Sequence, residues 1–222
     1  MQRVLEPEIM ADGEQTLAYA RADFSTSNQW FVDHLVERGA STLRNAVDLG
    51  CGPGDVMLRL ARACPDIHVT AVDGSPTMIA LARRAIAEAG LEARVGAIEG
   101  YIPGLALPER SFEAVLSKDL LHHLPDPAVL WQEAVRLGRR GAPVCVMDLI
   151  RPASQDAARD IVEAVAANEH PLLKADFYNS LCAAFTLEEA AAQVRRAGLD
   201  LTVTQVSARH MVIEGTLPLP VP

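Results

Sequence analysis

The residues whose types and spacing most clearly suit ligand binding are three alternating glycines flanked by carboxylates. They lie in the stretch Asp48-Leu49-Gly50-Cys51-Gly52-Pro53-Gly54, and Asp55 follows directly. Glycines at alternate positions between a strand and a helix let the backbone approach a ligand with no side chain in the way. The residue types and their order therefore predict a ligand-binding loop at the end of a buried strand.

The spacing of these glycines argues against a dinucleotide ligand. A dinucleotide-binding loop has the pattern G-x-G-x-x-G, in which the helix N-terminus holds a pyrophosphate. Counted from Gly50, the third glycine of that pattern would fall at position 55, which is Asp55. A carboxylate there repels a diphosphate and favours a cation, and Asp48 adds a second carboxylate. A nucleoside carrying positive charge is the ligand indicated, and an NAD(P)-dependent oxidoreductase is the weaker alternative.

A further carboxylate, Asp73, ends the next predicted strand and lies 23 residues after Gly50. An acidic side chain at this place can accept hydrogen bonds from both hydroxyls of a ribose. The combination of the glycine pattern, a helix, a strand and a terminal Asp therefore indicates a nucleoside site.

Short apolar runs alternate with helical patterns along most of the chain. Strands separated by helices of about a dozen residues pair in parallel, so we expect an α/β sheet that is covered on both faces. Only three residues separate the last two predicted strands, which requires an antiparallel hairpin. The predicted strands span residues 45–50, 68–73, 93–98, 112–117, 142–148, 200–206 and 210–216.

Two segments are extra to this alternating pattern. A helix is predicted over residues 28–38, with Ser27 as its N-cap, and two further helices are predicted within residues 152–185. Additions at the carboxyl ends of the strands are suited to selecting a substrate. We therefore expect one domain with four parts. They are an N-terminal helical cap over residues 1–42, a core over residues 43–149, a helical lid or substrate insertion over residues 150–185, and a last helix with the hairpin over residues 186–222.

Several of these features together resemble the class I S-adenosylmethionine (SAM) dependent methyltransferases, particularly their small-molecule branch. They are the Asp48–Gly54 motif, Asp73 with Gly74-Ser75-Pro76-Thr77-Met78, the stretch at 112–124 and the closing hairpin. The resemblance runs from about residue 44 to residue 217. It implies a Rossmann-like, mostly parallel seven-stranded sheet with helices on both faces and a C-terminal antiparallel hairpin. It also implies SAM as the cofactor and a methyl transfer to an O, N, C or S atom of a small molecule.

The resemblance further implies a set of cofactor contacts. The three glycines would pack against the methionine moiety and the ribose, Asp73 would bind the ribose diol, and Met78 would lie against the adenine. The full expected set is Asp48, Gly50, Gly52, Gly54, Asp73, Gly74, Met78, Gly100, Tyr101, Ser117 and Lys118.

The candidates for catalysis are two adjacent histidines, His122 and His123, which follow the fourth strand near the expected position of the methyl group. A neutral imidazole could take a proton from a phenol, hydroxyl or amine. In relatives that methylate phosphobases, a histidine six residues after the equivalent serine pairs with an N-terminal tyrosine, which corresponds here to His123 and Tyr19. The alternative is that the histidines only pack or cap the turn. Arg209 and His210, in the predicted hairpin turn, are expected to face solvent.

Composition limits the partners of the chain. Lys plus Arg total 20 against 29 Asp plus Glu, which gives a net charge of −9. This acidity argues against nucleic acids and anionic membrane surfaces. The four cysteines are dispersed without zinc spacing, and neither a signal peptide nor a membrane span is evident, so we expect a cytoplasmic protein, a monomer or homodimer, without a metal. A SAM-binding sensor or partner subunit without transferase activity stays open as an alternative.

Overall fold

Seven strands form one sheet in the order β3-β2-β1-β4-β5-β7-β6. The structure is a computed structural model that describes residues 1–6 and 24–219. Strands β1 to β5 pair in parallel, whereas β7 is antiparallel to both β5 and β6. The strands are β1 Asn45–Leu49, β2 His68–Asp73, β3 Val95–Glu99, β4 Ala114–Lys118, β5 Pro143–Leu149, β6 Leu201–Gln205 and β7 His210–Thr216.

Helices cover both faces of this sheet, which confirms the predicted Rossmann-like α/β fold. Within the described ranges they are α1 Ser25–Glu37, α2 Asp55–Ala63, α3 Pro76–Ala89, α4 Ala128–Leu137, α5 Gln155–Ala166, α6 Pro171–Ala183 and α7 Leu187–Arg196. None of these helices combines the length and apolar character that crossing a lipid bilayer requires.

The core is divided by the sheet into two apolar layers. Neighbouring residues of β1 point to opposite faces, so Ala46 packs into one layer and Val47 into the other. Helices α1, α2 and α3 contribute to the first layer, through residues such as Phe31 and Leu60, and α4 and α7 contribute to the second. The carboxyl ends of the parallel strands are thereby fixed at one edge of a rigid sheet.

The insertion after β5 folds as the two predicted helices, α5 and α6, which pack on each other and on Leu149 at the end of β5. The next helix, α7, begins with the predicted capping box. Thr186 Oγ1 accepts a hydrogen bond from the Glu189 backbone N–H at 3.2 Å, and the Glu189 carboxylate accepts one from the Thr186 N–H at 3.0 Å. These local signals were readable because each depends on residues three positions apart.

The first described helix departs from its predicted start. Helix α1 begins at Ser25 with Phe24 as its N-cap, so Ser27 is not the cap and lies in the first turn. The Ser27 hydroxyl donates to the Phe24 carbonyl at 3.2 Å, a bond that a serine inside a helix can make to the preceding turn.

The prediction for Tyr19 lies outside the described residues.

Candidate functional site

The glycine loop after β1 brings backbone close to the segment that follows β4. Gly50 has a φ of +78°, and a Cβ atom at this position would lie 2.7 Å from Cβ of Leu120. Gly54 has a φ of +97°, but its neighbours are Met57 and Ala82 on α2 and α3. Gly50 is therefore required where the loop meets a ligand cavity, whereas Gly54 is required for packing between helices.

A cavity of about 450 Å³ opens at the carboxyl ends of β1, β2 and β4, and we call it the first cavity. Eight of the eleven expected cofactor contacts line it: Gly50, Gly52, Asp73, Gly74, Met78, Gly100, Tyr101 and Lys118. The other three, Asp48, Gly54 and Ser117, are not in its wall. Ser117 is fully buried and donates its hydroxyl to the Leu49 carbonyl at 2.8 Å, so it ties β4 to β1 behind the cavity.

Asp73 is held in place by backbone groups of the loops around it. Its Oδ2 accepts a hydrogen bond from the Gly52 N–H at 2.9 Å, and its Oδ1 accepts one from the Ser75 N–H at 2.8 Å. Burial raises the pKa of Asp73, and these two N–H donors offset part of that rise. Because each carboxylate oxygen can accept a second hydrogen bond, the side chain keeps capacity for two ribose hydroxyls.

Asp48 lies beneath the loop and is 2% exposed. Burial raises the pKa of Asp48 to about 7, the nearby charge of Asp73 adds to this rise, and Lys118 opposes it. Lys118 is itself buried and paired with the Asp119 carboxylate. The floor of the first cavity thus holds more carboxylates than cations, an arrangement that favours a positively charged ligand.

We expect Asp48→Asn to flatten the pH dependence of stability. Folded Asp48 has a pKa of about 7 against 3.8 for an exposed Asp, so the folded state holds this proton more tightly and stability falls as pH rises between these two values. The variant should be more stable than wild type at pH 8, by up to about 4 kcal/mol, and equally stable near pH 4. Urea unfolding at both pH values measures the difference in the free energy of unfolding between the variant and wild type. A difference of the same size at both pH values would contradict the prediction.

A second cavity of about 350 Å³ lies between the ends of β5 and β7 and helices α5 and α6. Its wall combines apolar side chains such as Leu149 and Phe177 with the polar side chains of Glu169, Asp176 and Arg209. Residues of the predicted insertion therefore line a cavity.

His210 corrects one expectation from the sequence. It lines the second cavity and is 6% exposed, rather than facing solvent, because β7 pairs with β5 and sets His210 opposite Leu149. Burial lowers the pKa of His210 to about 4, so the ring is neutral at neutral pH.

The two cavities meet at Asp119 and His123, which line both. Asp119 follows β4 with a φ of +58°, a left-handed conformation that is costly for a residue other than glycine. Its buried Oδ1 has no hydrogen-bond partner within residues 1–6 and 24–219. Burial raises the pKa of Asp119, but the charges of Lys118 and His210 lower it more, so the pKa lies below its ordinary value.

The two histidines at the junction have different environments. His122 is 2% exposed, and its Nδ1 lies 2.7 Å from Oδ1 of Asp148 at the end of β5. Burial lowers the pKa of His122, yet the charge and hydrogen bond of Asp148 outweigh this, so the net pKa is raised. His123 is more open, with its side chain 37% exposed, and its Nδ1 lies 2.6 Å from Oε2 of Glu6.

Three residues that the sequence did not single out therefore belong to this region, Glu6, Asp119 and Asp148, and His210 joins them against expectation. Asp119 follows β4, and Asp148 lies near the carboxyl end of the neighbouring parallel strand β5, which is a readable signal for a site. Glu6, His122 and His123 offer ligand atoms within 4.8 Å of one another, a set that could hold a metal ion. Nδ1 of His122 is paired with Asp148, and Nδ1 of His123 is paired with Glu6.

Comparisons with known proteins point to one family. Residues 46–141 match a family model described as a methyltransferase domain. The chain is 37% identical over 111 residues to trans-aconitate 2-methyltransferase of Mycobacterium sp. (strain KMS), covering 49% of this chain and 40% of that protein. It is 31% identical over 122 residues to a ubiquinone biosynthesis O-methyltransferase of Xylella fastidiosa (strain 9a5c), covering 54% and 48%. The chain thus spans less than half the length of these curated relatives.

The fold comparison covers nearly the whole chain. A crystal structure of a SAM-dependent methyltransferase from Aquifex aeolicus matches with a TM-score of 0.70 at 15% identity, over 93% of this chain and all of that one. The matched domain, the relatives, the sheet order with its terminal hairpin and the glycine loop agree. Residues 46–141 therefore carry a methyltransferase domain, the fold is that of the class I S-adenosylmethionine-dependent methyltransferases, and S-adenosylmethionine is the cofactor that the comparisons indicate.

Proposed function

We propose that this chain transfers the methyl group of SAM to a small molecule that binds in the second cavity. The observation that carries the proposal is that the two cavities share Asp119 and His123. A donor in the first cavity and an acceptor in the second would therefore face each other at one point. Methyl transfer is an in-line displacement, which depends mainly on this kind of alignment.

The first cavity suits the donor in our proposal. Asp73 would accept hydrogen bonds from the ribose hydroxyls, Met78 and Tyr101 would flank the adenine, and the glycine loop would contact the methionine moiety. The carboxylates near the loop would favour the sulfonium, while Lys118 offers a cation for the methionine carboxylate. Asp48, Gly54 and Ser117 would act from behind the cavity wall, by charge and by packing.

The second cavity suits an acceptor of modest size. Its volume of about 350 Å³ lies in the range of small-molecule sites, and its wall mixes apolar and polar side chains. One relative is named for the small molecule trans-aconitate and another for ubiquinone biosynthesis, which supports this class. Of the proposed catalytic groups, His123 lies at the junction, His122 lies behind it, and Tyr19 is proposed from family resemblance alone.

Two measurements test the proposal. Calorimetry should show that the full chain binds S-adenosylhomocysteine (SAH), the demethylated product, at one site. Incubation with methyl-labelled SAM and a fractionated metabolite extract should then place label in a small molecule and release SAH. SAH binding without label transfer to any fraction would indicate a non-catalytic SAM-binding protein. Binding of NADH in place of SAH would indicate an oxidoreductase.

A further inference from the structure

We propose that Glu6 orients His123 as a general base, so that the acceptor is a hydroxyl or an amine that carries a proton. Glu6 is a positioning residue in this arrangement, and His123 is the group that meets the acceptor. The inference rests on the proposed function for its chemistry, but the orientation of His123 can be measured without any methyl transfer.

The Glu6 carboxylate is fixed in place through both of its oxygens. Oε2 lies 2.6 Å from Nδ1 of His123, and Oε1 accepts a hydrogen bond from the Ser180 hydroxyl at 2.7 Å. Burial raises the pKa of Glu6, but the hydrogen bond and charge of His123 lower it more, so the carboxylate is ionised at neutral pH. In the neutral form of the ring, Nδ1 would donate its proton to this carboxylate, and Nε2 would then carry none.

The N-terminal segment that carries Glu6 is attached to the rest of the fold by backbone carbonyl contacts. Arg3 donates to the carbonyl of Ala183, at the end of α6, at 2.5 Å, and to the carbonyls of His122 and Leu124 at 2.9 and 3.0 Å. The Val4 N–H donates to the Cys182 carbonyl at 3.0 Å. The segment is thus joined both to the insertion and to the turn that bears the histidines, and it holds Glu6 at the junction of the two cavities.

The two adjacent histidines differ in their environments. His122 is paired with Asp148 and almost fully buried, and its ring centroid lies 4.1 Å from that of His123. His123 is the more exposed of the two and lines both cavities. A carboxylate that fixes the tautomer and orientation of a histidine is the arrangement by which such a base is prepared to take a proton. His123 is therefore the ring placed to act on the acceptor, with His122 packed against it.

The chemistry then follows from the proton balance. As the bond from the methyl carbon to the acceptor oxygen or nitrogen forms, the bond from that carbon to the sulfonium sulfur breaks, and SAH leaves with the electron pair. The proton of the acceptor passes to Nε2 of His123 and is later released to water. A carboxylate or thioether acceptor carries no proton to remove at neutral pH, so an oriented base would serve no purpose for it.

Nitrogen-15 NMR of the histidine rings, with SAH bound and the rings neutral, tests the orienting role. Wild type should show His123 protonated at Nδ1, and the resonance missing from His123→Ala assigns it. Glu6→Ala should shift the ring to the Nε2–H tautomer, whereas Glu6→Gln, whose amide oxygen still accepts a hydrogen bond, should retain Nδ1–H. The matched charge control is Glu88→Gln, on the exposed face of α3. An Nε2–H tautomer in wild type, or no change in Glu6→Ala, would overturn the proposal.

Carbon-13 in the methyl group of SAM tests the acceptor class. The chemical shift of the transferred methyl should show a bond to a hydroxyl-derived oxygen or to nitrogen, in the presence of a chelator. A methyl on sulfur or carbon, or a carboxylate methyl ester, would overturn the acceptor class. Transfer that a chelator abolishes and zinc restores would replace the base by a metal at Glu6, His122 and His123. Absence of all transfer would count against the proposed function and would leave the NMR result standing by itself.

Discussion

Replacing Asp73 with alanine is expected to weaken the binding of SAH by about 100-fold or more. The complex of the variant would lack the two hydrogen bonds from ribose hydroxyls to this carboxylate, and hydrogen bonds to a charged acceptor contribute about 1.5–3 kcal/mol each. A loss of about 3 kcal/mol corresponds to about 100-fold in the dissociation constant. The Gly52 and Ser75 N–H groups would lose their acceptor too, so the loop would be less well fixed for the ligand.

Calorimetric titration with SAH measures this effect. Asp73→Asn is expected to fall between wild type and Asp73→Ala, because its amide oxygen can still accept while its NH2 group opposes one of the two backbone donors. Asp66→Ala is the matched control, since Asp66 precedes β2 at the other end of the sheet and pairs with Arg44 at the surface. A dissociation constant for Asp73→Ala within about 3-fold of wild type would contradict the ribose role.

The fold was predictable because its signals are local. Apolar runs a few residues long located each strand to within about two residues of its observed ends. Cap residues such as Ser75 and Thr186 act on backbone groups three positions away, so the sequence itself records them. The short link between β6 and β7 admits only an antiparallel pairing, and this pairing is observed.

The junction of the two cavities was only partly predictable, because its contacts join distant parts of the chain. Glu6 contacts His123 only when the N-terminal segment is packed on α6, and no spacing pattern in the sequence predicts such a long-range contact. His210 was expected at the surface, since a hairpin turn usually is, but pairing with β5 buries it. Residue type was also ambiguous at Gly54, where the glycine serves helix packing rather than the cavity.

The position of Asp148 in the sequence is itself a signal for a functional site. It lies near the carboxyl end of β5, where an open α/β sheet places ligands and catalytic groups. The carboxylate is 1% exposed and accepts hydrogen bonds from the backbone of Leu121 at 2.8 Å, from the backbone of Leu149 at 2.7 Å and from the ring of His122. It therefore holds the turn that carries both histidines against the end of β5.

We expect Asp148→Ala to lower the free energy of unfolding by about 3–5 kcal/mol, because it removes one partner of a buried ion pair and leaves two backbone donors and a ring without their acceptor. Asp148→Asn should lose less, since its amide oxygen keeps part of the network. Urea unfolding monitored by circular dichroism measures both variants. A loss below about 1 kcal/mol for the alanine variant, the size typical of surface pairs, would contradict a buried pair at this position.

The pH dependence of that loss separates the ion pair from simple packing. The folded pKa of His122 is raised above the 6.5 of an exposed His, so the charged ring stabilises the folded state fully below pH 6.5 and this stabilisation is lost as pH rises through the folded pKa. The difference in stability between wild type and Asp148→Ala should accordingly be largest at about pH 5.5 and smaller at about pH 8.5. A change in side-chain packing alone at Asp148 would change the free energy of unfolding by the same amount at both pH values. A difference that does not change with pH would therefore show that Asp148 acts on the turn through its hydrogen bonds to backbone, and not through the charge of His122.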